Sequence, residues 1–194
     1  EGHPFFAEEL AYALRESRVL VIENQECHVD PHFMDFEHLT LPDTLQSAIT
    51  NRIASLDPSQ QLTLKVASVI GRIFAFRVLQ AVHPIEADRA SLPNYMESLT
   101  RLSLTLVESE APDLAYIFKH AVTQEVAYNL MLYAQRRQLH QAVAEWIEQN
   151  HSDNLESYFT LLAHHWTQAA EMPDAARNET AMHKAVDYLE KAGD

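Results

Sequence analysis

The sequence is poor in glycine, with only three in 194 residues, at Gly2, Gly71 and Gly193. A Walker A loop needs two glycines close to a lysine, and a dinucleotide-binding fingerprint needs three glycines within a few residues. The glycine spacing here meets neither requirement. The chain therefore lacks a glycine-rich loop that could hold a nucleoside triphosphate by itself.

Cysteine, positive charge and long apolar runs are also scarce. Cys27 is the single cysteine, so no disulfide can form within the chain, and we expect a reduced, cytoplasmic setting. The 14 lysines and arginines face 28 aspartates and glutamates, and the net charge of −14 argues against binding to nucleic acid or to an anionic membrane. No apolar run approaches the roughly 18 residues of a transmembrane helix. Neither is there a signal-peptide pattern, and because the chain starts at Glu1 we expect a fragment of a longer protein.

Most of the apolar residues are spaced for amphipathic helices. The pattern predicts helices over 5–16, 42–56, 58–70, 74–82, 91–102, 119–133, 135–150, 155–170 and 179–192. Short strand-like runs occur at 19–22, 104–108 and 114–118, and the last two read as a hairpin. Residues 23–40 are polar, histidine-rich and broken by Pro31, which is typical of a long loop.

This order predicts a mostly α fold with two recognisable parts. Helices followed by a hairpin have the layout of a winged helix. In the last helix pair, small and aromatic residues such as Ala163, Trp166, Ala185 and Tyr188 suit the close packing of tetratricopeptide-like helical repeats. One such pair leaves a face open, because arrays of this kind usually need about three repeats.

Several segments resemble bacterial signal-transduction ATPases of the STAND type, which are related to the AAA+ class. Gly-His-Pro-Phe-Phe-Ala-Glu-Glu-Leu at 2–10 is similar to a segment of their lid, and residues 41–56 and 65–74 are similar to the start of their winged-helix part. Tyr-Ile-Phe-Lys-His-Ala-Val-Thr-Gln-Glu-Val-Ala-Tyr at 116–128, with Arg-Arg-Gln-Leu-His at 136–140, resembles the version found behind class III adenylate/guanylate cyclase domains. The likeness covers nearly the whole chain in the same order.

The resemblance implies three regions. Residues 1–40 would be the end of the ATPase lid region and a linker, and residues 41–133 a winged-helix-like domain with one β-hairpin. Residues 134–194 would be a helical bundle that starts the tetratricopeptide-like repeats. In the family, the Walker motifs and any cyclase domain lie upstream, so ATP or ADP would be a cofactor of the parent protein and not of this chain. The partners implied are the upstream ATPase domain and a protein bound by the repeats.

The family also implies which residues lie near the nucleotide. Gly2 and Pro4 correspond to the lid motif that packs near the adenine, and His120 to a histidine that can reach a β-phosphate. From the residues alone, the alternative interpretation of Pro4 is a simple helix start signal, and that of His120 is a helix cap or a packing residue beneath the hairpin.

Other chemistry-bearing residues receive structural interpretations. We predict no catalytic residue, and we interpret Glu8, Glu9 and Glu125 as exposed helix charges. We predict no metal ligands either, although two groups of residues contain side chains of the kind that bind metals. Cys27, His28, His32 and His38 lack the paired, fixed spacing of zinc sites. His164 and His165 are adjacent on a helix, so we expect them to point to different sides. We interpret Lys119, Arg136 and Arg137 as solvated charges on helices. The alternative is that they form an interdomain salt bridge.

Two other functions fit the sequence. The chain could be a stand-alone adaptor whose helical repeats bind a protein, with a structural winged helix. It could also be a winged-helix transcription regulator, although the segment before the hairpin has only Arg101 and the hairpin tip carries Glu108, Glu110 and Asp113. Phosphate contact normally needs clustered lysine and arginine, which these segments lack.

Overall fold

The computed structural model describes residues 4–16, 19–23, 26–30, 44–171 and 178–193, and it is mostly helical with two small antiparallel sheets. Within this part of the chain, every helix is too short or too polar to cross a lipid bilayer. The chain divides into two compact units, residues 1–57 and 58–194.

The described helices, in chain order, are α1 (Pro4–Glu16), α2 (Leu45–Ala54), α3 (Pro58–Ile70), α4 (Phe76–Val82), α5 (Leu92–Arg101), α6 (Ala121–Asn129), α7 (Tyr133–Asn150), α8 (Phe159–Ala170) and α9 (Glu179–Gly193). Short 3-10 helices, Glu86–Ser91 and Ser152–Tyr158, precede α5 and α8. The strands are β1 (Leu20–Glu23), β2 (Glu26–Val29), β3 (Ile73–Ala75), β4 (Thr105–Ser109) and β5 (Ala115–Phe118).

In the first unit, α1 packs on α2 and on β1, which pairs with β2 in a hairpin. A capping box starts α2, because the Thr44 hydroxyl accepts from the Ser47 amide and the Ser47 hydroxyl accepts from the Thr44 amide, both at 3.1 Å. Glu9 is buried and accepts a hydrogen bond from Arg52 at 2.6 Å, and the Arg52 guanidinium lies 3.9 Å from the centre of the Tyr12 ring. This ion pair links the two helices.

The second unit contains a three-stranded sheet in the order β3-β5-β4. Ile73 pairs with Ile117, and Thr105 pairs with Phe118 on the other side of β5. The rings of Phe74 and Phe118 lie 5.6 Å apart and are almost fully buried. Helix α3 packs against α4, α5, α6 and α7, so it lies at the centre of this part of the unit.

The remaining helices of this unit form a bundle in which α8 packs against both α7 and α9. A single carboxylate joins the three helices. Glu148 of α7 accepts hydrogen bonds from Trp166 of α8 at 3.1 Å and from Tyr188 of α9 at 2.9 Å, and it pairs with Lys184 at 2.6 Å. Small residues such as Ala163 of α8 and Ala185 of α9 are buried in this bundle.

The sequence pattern predicts most of these elements, with α3 ending before Gly71 and β4 and β5 forming the hairpin. Five predictions are wrong in detail. The helix predicted over 119–133 is α6, which spans only Ala121–Asn129. The loop predicted over 23–40 contains β2, and the helix predicted over 74–82 begins as β3. The helix predicted from Pro42 begins at Leu45, with Pro42 itself outside the described residues, and the helix predicted from residue 155 begins at Phe159.

Glu9 is also placed differently from the sequence interpretation. It lies four residues after the buried Phe5, on the helix face that meets α2, and only 3% of it is exposed. The charge is tolerated there because Arg52 compensates it.

Candidate functional site

The family resemblance marks Gly2, Pro4 and His120 as nucleotide-proximal, and each is described here by itself. Gly2 lies outside the described residues. Pro4 begins α1 in the first unit, and it is exposed. His120 is the residue before α6 in the second unit and is partly buried, and its side chain makes no capping hydrogen bond to that helix. The nucleotide-proximal role of these three residues stays a prediction.

The cysteine–histidine segment lies partly within the described chain. Cys27 and His28 are exposed on β2, while His32 and His38 fall outside the described residues. Consecutive strand residues point to opposite faces, so Cys27 and His28 do not converge. His28 lies 3.7 Å from the Glu26 carboxylate.

Three histidines do converge, between α7 and α8. His140 of α7 and His165 of α8 are 2% and 1% exposed, and His164 is exposed beside them. Each offers a ring nitrogen that lies within 4.8 Å of those of the other two. We call His140, His164 and His165 the histidine cluster.

The cluster continues through hydrogen bonds onto α6. The Nδ1 atoms of His140 and His165 are 2.8 Å apart, and Nε2 of His140 lies 3.0 Å from the Tyr128 hydroxyl. The Tyr128 hydroxyl donates its only proton to Oε1 of Gln168 at 3.1 Å. It therefore accepts from Nε2–H of His140, which leaves Nδ1 of His140 as an unprotonated nitrogen facing His165.

Nε2 of His165 differs from Nε2 of His140, which lies against the Tyr128 hydroxyl. The Nε2 atom of His165 is buried, and within the described residues it has no hydrogen-bond partner. Buried polar atoms are almost always hydrogen-bonded, so each exception calls for a physical reason. The three helices have therefore brought together a set of imidazole nitrogens that their own hydrogen bonds do not use up.

The electrostatics keep the two buried rings neutral. Burial, together with the nearby His165, His164 and Arg136, lowers the pKa of His140 to about 3. Burial and the neighbouring His164 lower the pKa of His165 to about 3 as well. Burial raises the pKa of Tyr128 above its usual value, so its hydroxyl keeps its proton.

Arg136 holds this arrangement from the side and is not a freely solvated charge. It donates to the backbone carbonyls of Asn129, the last residue of α6, and of Met131, both at 3.1 Å, and its guanidinium lies 4.5 Å from the centre of the Tyr128 ring. A cation at the end of a helix interacts favourably with the last carbonyls. Arg136 thereby fixes the end of α6 on which Tyr128 stands.

A cleft of about 460 Å³ opens next to the cluster, between α3, α6, α7 and α8. Tyr128, His140, His164 and Gln168 line it, together with Glu125, which is exposed as the sequence predicts. The cluster is thus accessible through His164.

The sequence predicts that His164 and His165 point to different sides of the helix, and His164 is indeed exposed while His165 is buried, but a ring nitrogen of each lies within 4.8 Å of those of the other and of His140. Adjacent helix positions differ by about 100° in direction, yet the ring centre of His140 lies 5.6 Å from that of His164 and 5.0 Å from that of His165. Both rings reach His140 because it stands on the facing helix between them. The sequence pattern does not predict the cluster, because its one signal there is the adjacent pair of histidines within an apolar helix.

Comparisons with protein-family models, with curated proteins and with solved structures find no match to this chain.

Proposed function

We propose that this chain is the regulatory part of a STAND-type signal-transduction ATPase associated with an adenylate/guanylate cyclase. In this proposal it carries no catalytic site of its own. It couples the nucleotide state of an upstream ATPase domain in the cytoplasm to a helical array that binds a protein partner.

The strand order of the second unit is the observation that carries the proposal. The chain runs α3, β3, α4, α5, β4 and β5, and β3 pairs with β5, the second strand of the hairpin. A winged helix has this order of elements and this sheet order. The arrangement supports a winged-helix-like fold for the part of the second unit that includes the motifs at 65–74 and 116–128.

The bundle that follows supports the repeat-like part of the proposal. Helices α8 and α9 pack against each other, and both bury small residues, Ala163 and Ala169 in α8 and Ala181 and Ala185 in α9, which permit close helix packing. On the opposite face of α9, Met182, Val186 and Leu189 are about half exposed and follow helical spacing. An apolar stripe of this kind suits contact with a further protein surface.

The surface of the winged-helix-like region favours protein over DNA. Arg101, the one arginine on α5, forms an ion pair with Glu97 at 2.8 Å. Glu108 and Asp113, at the hairpin tip, are exposed. A transcription regulator would bind duplex DNA and reduce its electrophoretic mobility in a salt-dependent way, and we expect no such change in mobility.

Nucleotide binding tests the proposal directly. ATP and ADP are titrated into chain 1–194, with calorimetry as the readout. We expect no micromolar binding, because the phosphate-binding loop belongs to the upstream domain. Micromolar binding by chain 1–194 alone would contradict the proposal.

A second experiment separates the regulator from a stand-alone adaptor. The affinity of the chain for the separately produced upstream ATPase domain is measured with ATP and with ADP. A nucleotide switch requires different affinities in the two states, since a ligand shifts an equilibrium only through its differential affinity. Equal affinities, or no association in either state, would favour the adaptor, for which the apolar face of α9 is the supporting observation.

A further inference from the structure

We propose that the histidine cluster binds a divalent transition-metal ion of the zinc class and that the ion ties α7 to α8. This site is independent of the function proposed above. His140 and His165 would be the buried ligands, and His164 would be the ligand at the mouth of the cleft.

The spacing of the nitrogens is close to what such an ion needs. Zinc binds imidazole nitrogen at about 2.0–2.1 Å, so two nitrogens on a tetrahedral ion lie about 3.3 Å apart. In the cluster, the two Nδ1 atoms are 2.8 Å apart, and all three ligand atoms lie within 4.8 Å of one another. Small side-chain rotations reach the required separation, and His164 is free to make the largest because it is exposed.

The hydrogen bonds around His140 match those of a metal-bound imidazole. A histidine ligand usually donates its other ring N–H to an oxygen, which fixes the ring and its tautomer. His140 does so through Nε2 to the Tyr128 hydroxyl, and Gln168 fixes Tyr128 in turn. The free nitrogen of His140 then faces His165, where an ion between the two rings would take both lone pairs.

The set of ligands predicts an open coordination position. Three histidines with a solvent-facing side leave room for water as a fourth ligand, as in zinc sites that exchange ligands. The cleft beside His164 supplies that space. Imidazole also suits copper and nickel, so the proposed class comprises the divalent transition-metal ions that bind imidazole nitrogen.

A hydrogen bond without an ion is the competing explanation. In that case His165 donates from Nδ1 to Nδ1 of His140, and the cluster is a structural link between helices. The two explanations differ in what they predict for His164, which the hydrogen bond does not involve.

Metal titration of the intact chain tests the proposal. Protein stripped with a chelator is titrated with Co²⁺, whose visible absorption reports tetrahedral coordination, and then with Zn²⁺ in competition. We expect one ion to bind per chain, and to bind more tightly at the histidine cluster than at the other histidines. Absence of a stoichiometric tetrahedral spectrum would overturn the proposal.

Three variants assign the site. His164→Ala removes an exposed ligand and should leave the fold intact, yet it should weaken binding by more than the roughly 10–100-fold typical of losing an outer-shell partner. His164→Cys keeps a ligand at that position and should restore binding, measured with a reductant present. His183→Ala removes an exposed histidine of α9 outside the cluster and should change nothing. Equal binding by the His164→Ala and His183→Ala variants would overturn the proposal.

Discussion

Replacing Glu148 with alanine should destabilise the second unit by about 3 kcal/mol. The carboxylate accepts from two buried donors, Nε1 of Trp166 and the hydroxyl of Tyr188. Leaving a buried donor without an acceptor costs about 1–3 kcal/mol, and the lower end of that range applies where the side chain can shift. The ion pair with Lys184 adds at most about 1 kcal/mol, because 37% of the lysine side chain and 19% of the glutamate side chain are exposed.

A glutamine at this position separates the two contributions. Glu148→Gln keeps an oxygen that both donors can use and loses only the charge, so we expect a loss of about 1 kcal/mol. Glu190→Ala on α9 is the matched control, since it removes an exposed glutamate from the same bundle. Urea denaturation followed by tryptophan fluorescence is the assay, because both tryptophans, Trp146 and Trp166, lie in the second unit.

The outcomes are distinct. If Glu148→Ala costs no more than Glu190→Ala, the buried donors do not depend on the carboxylate and the reasoning is refuted. If Glu148→Gln costs as much as Glu148→Ala, the charge and not the acceptor geometry stabilises the bundle.

Three further predictions follow from features of the two units. Arg52→Met should destabilise the first unit by about 3–5 kcal/mol, because it leaves the buried Glu9 without its main compensating charge. A Glu9→Leu/Arg52→Met double variant should recover much of that loss. Amide hydrogen exchange in α1 and α2 measures the stability of both variants. Gly71 has φ near 151°, a conformation that residues with a side chain rarely adopt, so Gly71→Ala should cost about 1–3 kcal/mol by urea denaturation. Gly193→Ala, at a site with open space around it, should cost nothing in the same assay. Burial and then the Glu148 carboxylate raise the pKa of Tyr188. The contribution of the protonated Tyr188 hydroxyl to stability is therefore fully present below the unfolded-state pKa of about 10 and is lost as the pH rises above that value. Tyr188→Phe should therefore reduce the alkaline loss of stability, and an unchanged profile would contradict this cause.

Local signals explain where the sequence predictions succeed. Helix α3 is predicted closely because Asp57 and Pro58 mark its start, apolar residues recur at helical spacing, and Gly71 ends it. The hairpin strands β4 and β5 are predicted because their runs are apolar and β-branched, with turn residues between them.

Distant contacts explain where they fail. Strand β3 has only three residues, too few for a period, and it is a strand because β5 pairs with it. The histidine cluster is missed for a related reason. His140 is 12 residues from Tyr128 and 25 from His165, so only the packing of α6, α7 and α8 brings them together.

The pairing of β3 with β5 also has a consequence for synthesis on the ribosome. Ala75 pairs with Ala115, so 40 residues separate the two strands at their nearest point. At about 5–20 residues per second, a ribosome makes that intervening segment in several seconds. Throughout that interval β3 has no partner strand, whereas β4 and β5 can pair almost as soon as both have emerged. We therefore expect the hairpin to form first and β3 to join it as the closing strand of the sheet.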